Sequence, residues 1–394
     1  MKPIAKPLTL TTVALVAVLG AYSGPAAAAD CKSAEEIRAL VKSTGTATPE
    51  EYKAVLETFA CCTFNERDML RLDSKTCTPL EALKLLRKDK VKTPPIDSIF
   101  ADLAASPSPQ VRAVAYGDGG LVDYSDFFKR DAIATVAKKA MTTETDPGAL
   151  RYLVNSAMNS GNAMPEAGEF LKKMSTHENP VVRYRATVGL ANSWSDKVPG
   201  VVDAVVARMN DEDKNTRGIA CSGAGKLGDD AVVAPITAIL KDPARAKDHG
   251  ECVRGLVALW LDAPKHEHTS AAAYKATMDY LKTTPRSKDV PAWTAVSALS
   301  GPRNAKTIDA WKAKASYYKP DEIIAIMTDI AKDPQADRNA RTGAVKVIGA
   351  EGGTAALDKL APVIDGLGGD DKNAKDVKSS LETARKAAAK AEGK

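Results

Sequence analysis

The feature that most constrains the fold is an arginine that recurs in similar surroundings along most of the chain. In each copy a turn containing Pro, Asp or Asn precedes the arginine, and small and aliphatic residues follow at helical spacing. The repeated arginines are Arg112, Arg151, Arg183, Arg217, Arg254 and Arg341, and their first four intervals are 39, 32, 34 and 37 residues. A unit of this length cannot bury its own apolar stripe and must stack on its neighbours. The repeat therefore predicts an all-α solenoid.

Between the arginine segments lie helices of a second kind, each with one apolar face. Residues 229–242 place five such side chains on one side, namely Val232, Val233, Ile236, Ile239 and Leu240. Residues 321–332 and 355–365 follow the same spacing. The interval from Arg254 to Arg341 leaves room for a degenerate copy at 289–301, in which Trp293 replaces the arginine. Each repeat is therefore expected to be a pair of antiparallel helices.

The composition agrees with helices and argues against a nucleic-acid partner. Hydrophobic residues make up 44% of the chain and aromatic residues only 5%, so a core is available but material for a β-sandwich is scarce. The net charge is +5, and basic residues alternate with acidic ones rather than forming a patch. We expect a folded helical protein that does not bind nucleic acid.

Residues 1–29 have the composition of an export signal. Two lysines precede an apolar stretch from Leu8 to Leu19, and small residues lead to a cleavage site after Ala29 or one residue earlier. The apolar stretch is short for a membrane span. Asp30 before Cys31 does not fit a lipoprotein site. The mature protein is therefore expected to be periplasmic or secreted, with no transmembrane segment.

Export changes the interpretation of the cysteines. Six remain after cleavage, which are Cys31, Cys61, Cys62, Cys77, Cys221 and Cys252. An even number in an oxidising compartment predicts disulfides. We expect two bridges within residues 31–77 and one between Cys221 and Cys252. Cys61 and Cys62 are adjacent and poorly placed to pair with each other, but the sequence leaves open which of them pairs with Cys31 and which with Cys77.

Residues 30–91 are predicted to form a small helical domain held by these bridges. Thr48 followed by Pro49 and two glutamates is a strong helix start. A second start is expected at Thr78. The Pro-Pro sequence after Thr93 interrupts the helical pattern and is taken as the boundary with the repeats, which we assign to residues 92–366.

The run GAGKLGDDAVVAPITAILKDP resembles a HEAT repeat, in the short variety also called phycobilisome-lyase-type. The resemblance extends over roughly residues 100–366 and is strongest at 179–260 and 333–365. It implies that the second helices, which carry the arginines, line the concave side of the solenoid. Residues 367–394 form a polar Lys/Ala-rich segment that is expected to be a capping helix.

The resemblance also implies a hydrogen-bonded ladder between aspartates of the turns and arginines of the second helices. The family spacing of six residues matches Asp211 with Arg217 and Asp248 with Arg254. The copies at Arg183 and Arg151 depart from this spacing. The ladder is therefore expected to be incomplete at those two repeats.

The sequence GAGK at 223–226 has the appearance of a phosphate-binding loop but lacks its pattern. That motif needs Gly, four residues, then Gly-Lys followed by Ser or Thr. Ala220 stands where the first glycine belongs, and Leu227 follows the lysine. The segment is instead expected to end a helix, with Gly228 in the conformation that such ends require.

Two further groups of residues are candidate sites. His249, His266 and His268 are candidate metal ligands, but incidental histidines in an exposed loop are the simpler interpretation. Trp311, Tyr317 and Tyr318 are candidate partner contacts, although packing between repeats is the more common role of such rings.

No nucleophile motif or acid–base pair stands out, and we predict no catalytic residue and no cofactor. The sequence thus favours an exported, non-catalytic scaffold that binds another macromolecule, most simply a protein. The alternative is a metal-binding protein or metalloenzyme that uses the His249, His266 and His268 region.

Overall fold

The computed structural model describes residues 31–70, 77–117, 131–160, 164–261, 269–283, 292–299, 315–368, 371 and 373–393. Regular structure in these ranges is helical, with eighteen α-helices, a few 3₁₀ turns and no β-strand. None of the described helices has the length and apolarity needed to cross a bilayer. The proposed signal peptide lies outside the described residues.

The N-terminal region begins with three helices, α1 (Ala34–Arg38), α2 (Pro49–Glu57) and α3 (Thr78–Lys88). The predicted start of α2 is confirmed, because Thr48 caps the helix and the side chain of Glu51 bonds back to the Thr48 amide. Two disulfides, Cys31–Cys61 and Cys62–Cys77, join the ends of these elements. They settle the pairing that the sequence left open.

The rest of the described chain forms eight antiparallel helix pairs. The first helices are α4 (Asp97–Ala104), α6 (Asp131–Thr143), α8 (Glu166–Met174), α10 (Val201–Arg208), α12 (Val233–Lys241), α14 (Ala271–Thr283), α16 (Pro320–Lys332) and the second half of α17. The second helices are α5 (Pro109–Tyr116), α7 (Pro147–Ser160), α9 (Pro180–Leu190), α11 (Lys214–Ala224), α13 (His249–Leu261), α15 (Ala292–Leu299), the first half of α17 (Arg338–Asp365) and α18 (Ala374–Ala391). The two halves of α17 are separated by a kink at Gly353, whose φ is 63°.

Consecutive second helices pack on one another from α5 to α18. We call this continuous row of stacked helices the second-helix layer. Helix α18 packs against α17 and completes the last pair, and the Ser380 hydroxyl donates to the Thr342 carbonyl at 2.9 Å. The fold is therefore an α-solenoid, as the repeat predicted.

Glycines allow two of these helices to approach at backbone distance. A Cβ atom on Gly225 would overlap the carbonyl oxygen of Gly255, and one on Gly255 would overlap the carbonyl oxygen of Cys221. The disulfide Cys221–Cys252 links α11 to α13 at the same contact. The GAGK segment ends α11 in a 3₁₀ turn, and Gly228 has a φ of 72°. Its prediction as a helix end is confirmed.

The N-terminal region packs against the repeats through residues 64–70. The Leu70 amide donates to the Tyr152 hydroxyl at 3.2 Å, and Arg151 donates to the Arg67 carbonyl at 2.5 Å. The amide of Asn179 donates to Asp68 at 2.9 Å. One apolar core runs through both parts. The region therefore forms a buttress against α7 and α9.

Candidate interaction surface

The second helices are tied together by arginines that reach from one pair to the turn of the next. Arg183 on α9 donates from Nε and Nη2 to both carboxylate oxygens of Asp211, each at 3.1 Å. Its Nη1 donates to the carbonyls of His177 and Glu178 in its own turn, at 2.9 and 2.8 Å. Both side chains of the Arg183–Asp211 pair are buried. One guanidinium thus closes its own turn and fixes the next.

Three more arginines make the same forward contact. Arg112 holds Glu144 at 2.7 and 2.9 Å, Arg217 holds Asp248 at 3.1 Å, and Arg341 holds Asp371 at 2.8 and 2.6 Å. Arg112 and Arg217 also donate to two carbonyls of their own turns. The four contacts form the arginine ladder, which runs along the turns that join each first helix to its second helix.

The ladder lowers the pKa of three carboxylates, those of Asp211, Glu144 and Asp371. Burial is the largest influence on the pKa of Asp211 and raises it, but the hydrogen bonds from Arg183 and the Asp213 amide, together with the charges of Arg183 and Arg208, outweigh burial and hold the pKa below its usual value. Glu144 responds in the same way to burial and to Arg112. The hydrogen bond from Arg341 is the largest cause of the lowered pKa of Asp371. These acids are therefore ionised at neutral pH.

The predicted ladder had the wrong partners. Arg217 bonds the backbone carbonyl of Asp211, six residues earlier, whereas the Asp211 carboxylate belongs to Arg183 and Arg208. The position of the arginine in its helix explains the different partners. An arginine near the start of a second helix directs its Nε edge toward the turn of the next pair and its Nη1 toward its own turn.

Two further ladder expectations also need correction. The rung at Arg183 is complete rather than interrupted, because Asn179 serves only as the cap of α9 while the acid comes from the following turn. Arg254 is exposed and pairs with Glu251 at 3.3 Å. Among the described residues it forms no hydrogen bond or ion pair with Asp248, so it is not a rung.

His249 is a packed residue of α13. It is buried, its Nε2 lies 3.1 Å from the Asp242 carbonyl, and its Nδ1 lies 3.4 Å from the Tyr280 hydroxyl. Both ring nitrogens therefore face protein groups. His266 and His268 lie outside the described residues. Among the residues that are described, no three His, Cys, Asp or Glu side chains are arranged to hold a metal.

The aromatic residues form a cluster between pairs five, six and seven. Tyr317 and Tyr318 are partly buried and lie against the rings of Trp260 and Tyr274, at centroid distances from 5.0 to 6.4 Å within the cluster. The Trp260 indole donates to Thr277 at 3.0 Å. This arrangement favours the packing role over partner contact for the two tyrosines. Trp311 lies outside the described residues.

A cleft of about 470 Å³ opens where the N-terminal buttress meets the second-helix layer. We call it the arginine cleft. Its lining consists of Arg67, Met69, Arg151, Pro180, Val181, Tyr184, Arg185, Asp213 and Asn215. Three guanidinium groups thus share the cleft with a single carboxylate, that of Asp213. This carboxylate is engaged as the cap of α11, where it accepts from the Thr216 amide and hydroxyl at 2.7 and 2.8 Å.

Sequence reasoning missed this cleft. Arg185 lies two residues after the ladder arginine Arg183, and the pair RYR offered a signal because positions two apart on a helix face different directions. Arg183 is buried toward the ladder, whereas Arg185 lines the cleft. Arg67 carried no comparable signal, because it lies in an irregular segment of another region.

The stacked helix pairs and the arginine ladder define the class of protein as an α-solenoid of repeats. Residues 168–257, which cover pairs three to five, match the family model of HEAT repeats. This stretch of the chain therefore consists of HEAT repeats. That model covers HEAT repeats in general, so the phycobilisome-lyase-type variety stays a prediction. Comparison with curated proteins gives no match.

Proposed function

We propose that this chain is an exported, non-catalytic scaffold that binds a partner protein through its second-helix layer. The observation that carries the proposal is the continuity of that layer from α5 to α18. Stacked repeats of this kind present extended binding surfaces, and HEAT repeats commonly mediate protein interactions. Binding is then shared among exposed residues of several repeats rather than concentrated in one.

The ladder supports a scaffold because it fixes one turn to the next. Its carboxylates and guanidinium groups are paired with each other, and the buried pair Arg183–Asp211 is inaccessible to a partner. Preorganised surfaces lose less conformational entropy on binding. We therefore assign the ladder to structure, and the exposed stripe of each second helix to recognition.

Export is proposed from two independent features. Residues 1–29 have the pattern of a secretory signal peptide. All six cysteines are paired in three disulfides, and such bonds persist in oxidising compartments. We propose a periplasmic or secreted location, which intact-mass analysis of the exported protein tests through its N-terminus.

The test of the scaffold is affinity capture from the native envelope and secreted fractions with the mature chain as bait. One variant removes exposed side chains of three second helices, Asn215→Ala, Arg254→Ala and Lys346→Ala. Its matched control removes exposed side chains of three first-helix regions, which are Lys173→Ala, Asp203→Ala and Lys241→Ala. We expect the first variant to lose captured protein and the control to retain it. Equal capture by both, or a measurable turnover activity that one substitution abolishes without unfolding, would overturn the proposal.

A further inference from the structure

The arginine cleft contains two guanidinium groups that the fold itself does not neutralise. Within the described part of the chain, neither Arg67 nor Arg185 forms an ion pair. By comparison, Arg208 and Arg385, which lie outside the cleft, each pair with a carboxylate. Arg67 contributes its carbonyl to Arg151 and its amide to Asn65, but its side chain is exposed. The residues that line the cleft therefore carry a net positive charge.

Arg185 has a further property, since its Nε is buried and has no hydrogen-bond acceptor. A buried donor without an acceptor is costly and rare in folded proteins. Its guanidinium carbon lies 5.7 Å from the centroid of the Tyr184 ring. An acceptor that enters the cleft would satisfy this donor.

The ladder shows which acceptor fits such an edge. In Arg112 and Arg183, Nε and Nη2 together hold the two oxygens of one carboxylate, at 2.7 to 3.1 Å. This bidentate pairing is the strong and directional mode of arginine recognition. Arg185 lines the cleft and keeps an Nε without an acceptor, so a carboxylate is the partner that suits it.

The other lining residues indicate which kinds of group lie next to the carboxylate in a bound ligand. Met69, Val181 and Tyr184 supply apolar surface, and Asn215 adds an exposed amide. The cleft is open to solvent along the second-helix layer, and its volume lies within the range of about 300–1,000 Å³ that is usual for ligand sites. A nucleic-acid strand needs a run of cations along its backbone, whereas the exposed Glu212 and the cleft residue Asp213 interrupt the positive charge here.

We propose that the arginine cleft binds an acidic segment of the partner protein, with Arg67 and Arg185 pairing with its Asp or Glu carboxylates. The inference rests on the proposed function as a protein-binding scaffold and names the chemistry of the segment recognised. Apolar residues that flank those acids pack on Met69 and Tyr184. The cleft thus anchors one end of a partner that continues along the second-helix layer.

The experiment measures binding of a fluorescein-labelled peptide of alternating Glu and Leu to the full mature chain by fluorescence anisotropy. The matched probe has Gln in place of Glu. We expect the Glu peptide to bind, the Gln peptide to bind at least about tenfold more weakly, and added salt to weaken the Glu peptide. Equal binding of the two peptides would overturn the inference. So would complete displacement by inorganic phosphate or by a labelled oligonucleotide at a lower concentration than the unlabelled peptide.

The variant Arg67→Gln with Arg185→Gln is expected to lose at least about tenfold in affinity for the Glu peptide, because both charge pairs are lost. Arg87→Gln is the matched control, since it removes an exposed arginine of α3, outside both the cleft and the second-helix layer. Its affinity should stay within about twofold of wild type. Arg185→Lys keeps the charge but not the Nε donor, and wild-type affinity in this variant would overturn the assigned contact. Melting temperatures establish that all variants are folded.

The two proposals fail in different ways. If the wild-type chain binds the Glu peptide but captures no protein from the native fractions, the scaffold fails and the cleft stands as an acidic-peptide site. If the chain captures a protein equally well with and without Arg67 and Arg185, and the peptide does not bind, the scaffold stands and the cleft inference is overturned.

Discussion

Arg183 and Asp211 lie on neighbouring helix pairs and form a buried, bidentate contact of the ladder, with both carboxylate oxygens held at 3.1 Å. The same arginine closes its own turn through the carbonyls of His177 and Glu178. Its side chain is therefore a connection between repeats rather than a contact for ligands. Replacing Arg254, a repeat arginine outside the ladder, supplies a natural comparison.

Arg183→Ala is expected to lower the free energy of unfolding by about 3 kcal/mol, because it leaves Asp211 charged and buried with only the partly exposed Arg208 beside it. Arg254→Ala should change it by less than about 0.5 kcal/mol, since Arg254 is exposed and makes one long ion pair. Urea denaturation of both variants measures the difference. Similar losses in the two variants would show that the ladder is not the stabilising element.

The lowered pKa of Asp211 predicts a pH dependence of that loss. A carboxyl group with a lowered pKa in the folded state contributes stability that is complete above its unfolded value, near 3.8, and that is lost as the pH falls through the folded value. Arg183→Met removes the hydrogen bonds that lower this pKa. The difference in unfolding free energy between wild type and Arg183→Met should therefore narrow as the pH falls from about 5 to 2. A difference that stays constant over this range would contradict the ion pair.

The contact between α11 and α13 predicts that alanine substitution at two nearby glycines changes the free energy of unfolding in opposite directions. Gly225→Ala is expected to cost about 2 kcal/mol, because the new Cβ atom would overlap the Gly255 carbonyl and force the two backbones apart. At Gly218, the nearest heavy atom to a new Cβ is Cγ of Glu251 at 3.6 Å, which is an ordinary contact. Gly218→Ala should stabilise the helix interior by about 0.5–1 kcal/mol. Thermal melts of the two variants test the contact, and equal effects would argue against it.

The disulfides should differ in their resistance to reduction. Cys221 and Cys252 are fully buried, as is Cys77, whereas Cys31 is only partly buried. Thiol exchange requires a thiolate to reach one sulfur, so mild reductant is expected to open Cys31–Cys61 before Cys221–Cys252 in the folded protein. Differential alkylation followed by peptide mapping measures the order. Simultaneous loss of all three bridges without unfolding would contradict the burial of Cys221 and Cys252.

The sequence determined much of the fold because local patterns suffice to specify it. The recurring arginine, the caps and the apolar stripes fixed helical pairs, their approximate positions and the need to stack. The GAGK segment was assigned correctly as a helix end for the same reason, since its chemistry depends on neighbours in the chain. The export signal and domain boundaries stay predictions.

Only the tertiary structure decided which groups meet across repeats. The partner of each ladder arginine depends on the stacking register, which places Asp211 beside Arg183 rather than Arg217. The arginine cleft needs a loop of the N-terminal region to fold against two second helices, so Arg67 and Arg185 meet through packing that no local spacing encodes. The physical reason is common to both cases. Helix formation depends on interactions within a few residues, whereas ion pairs and clefts depend on how separate elements are brought together.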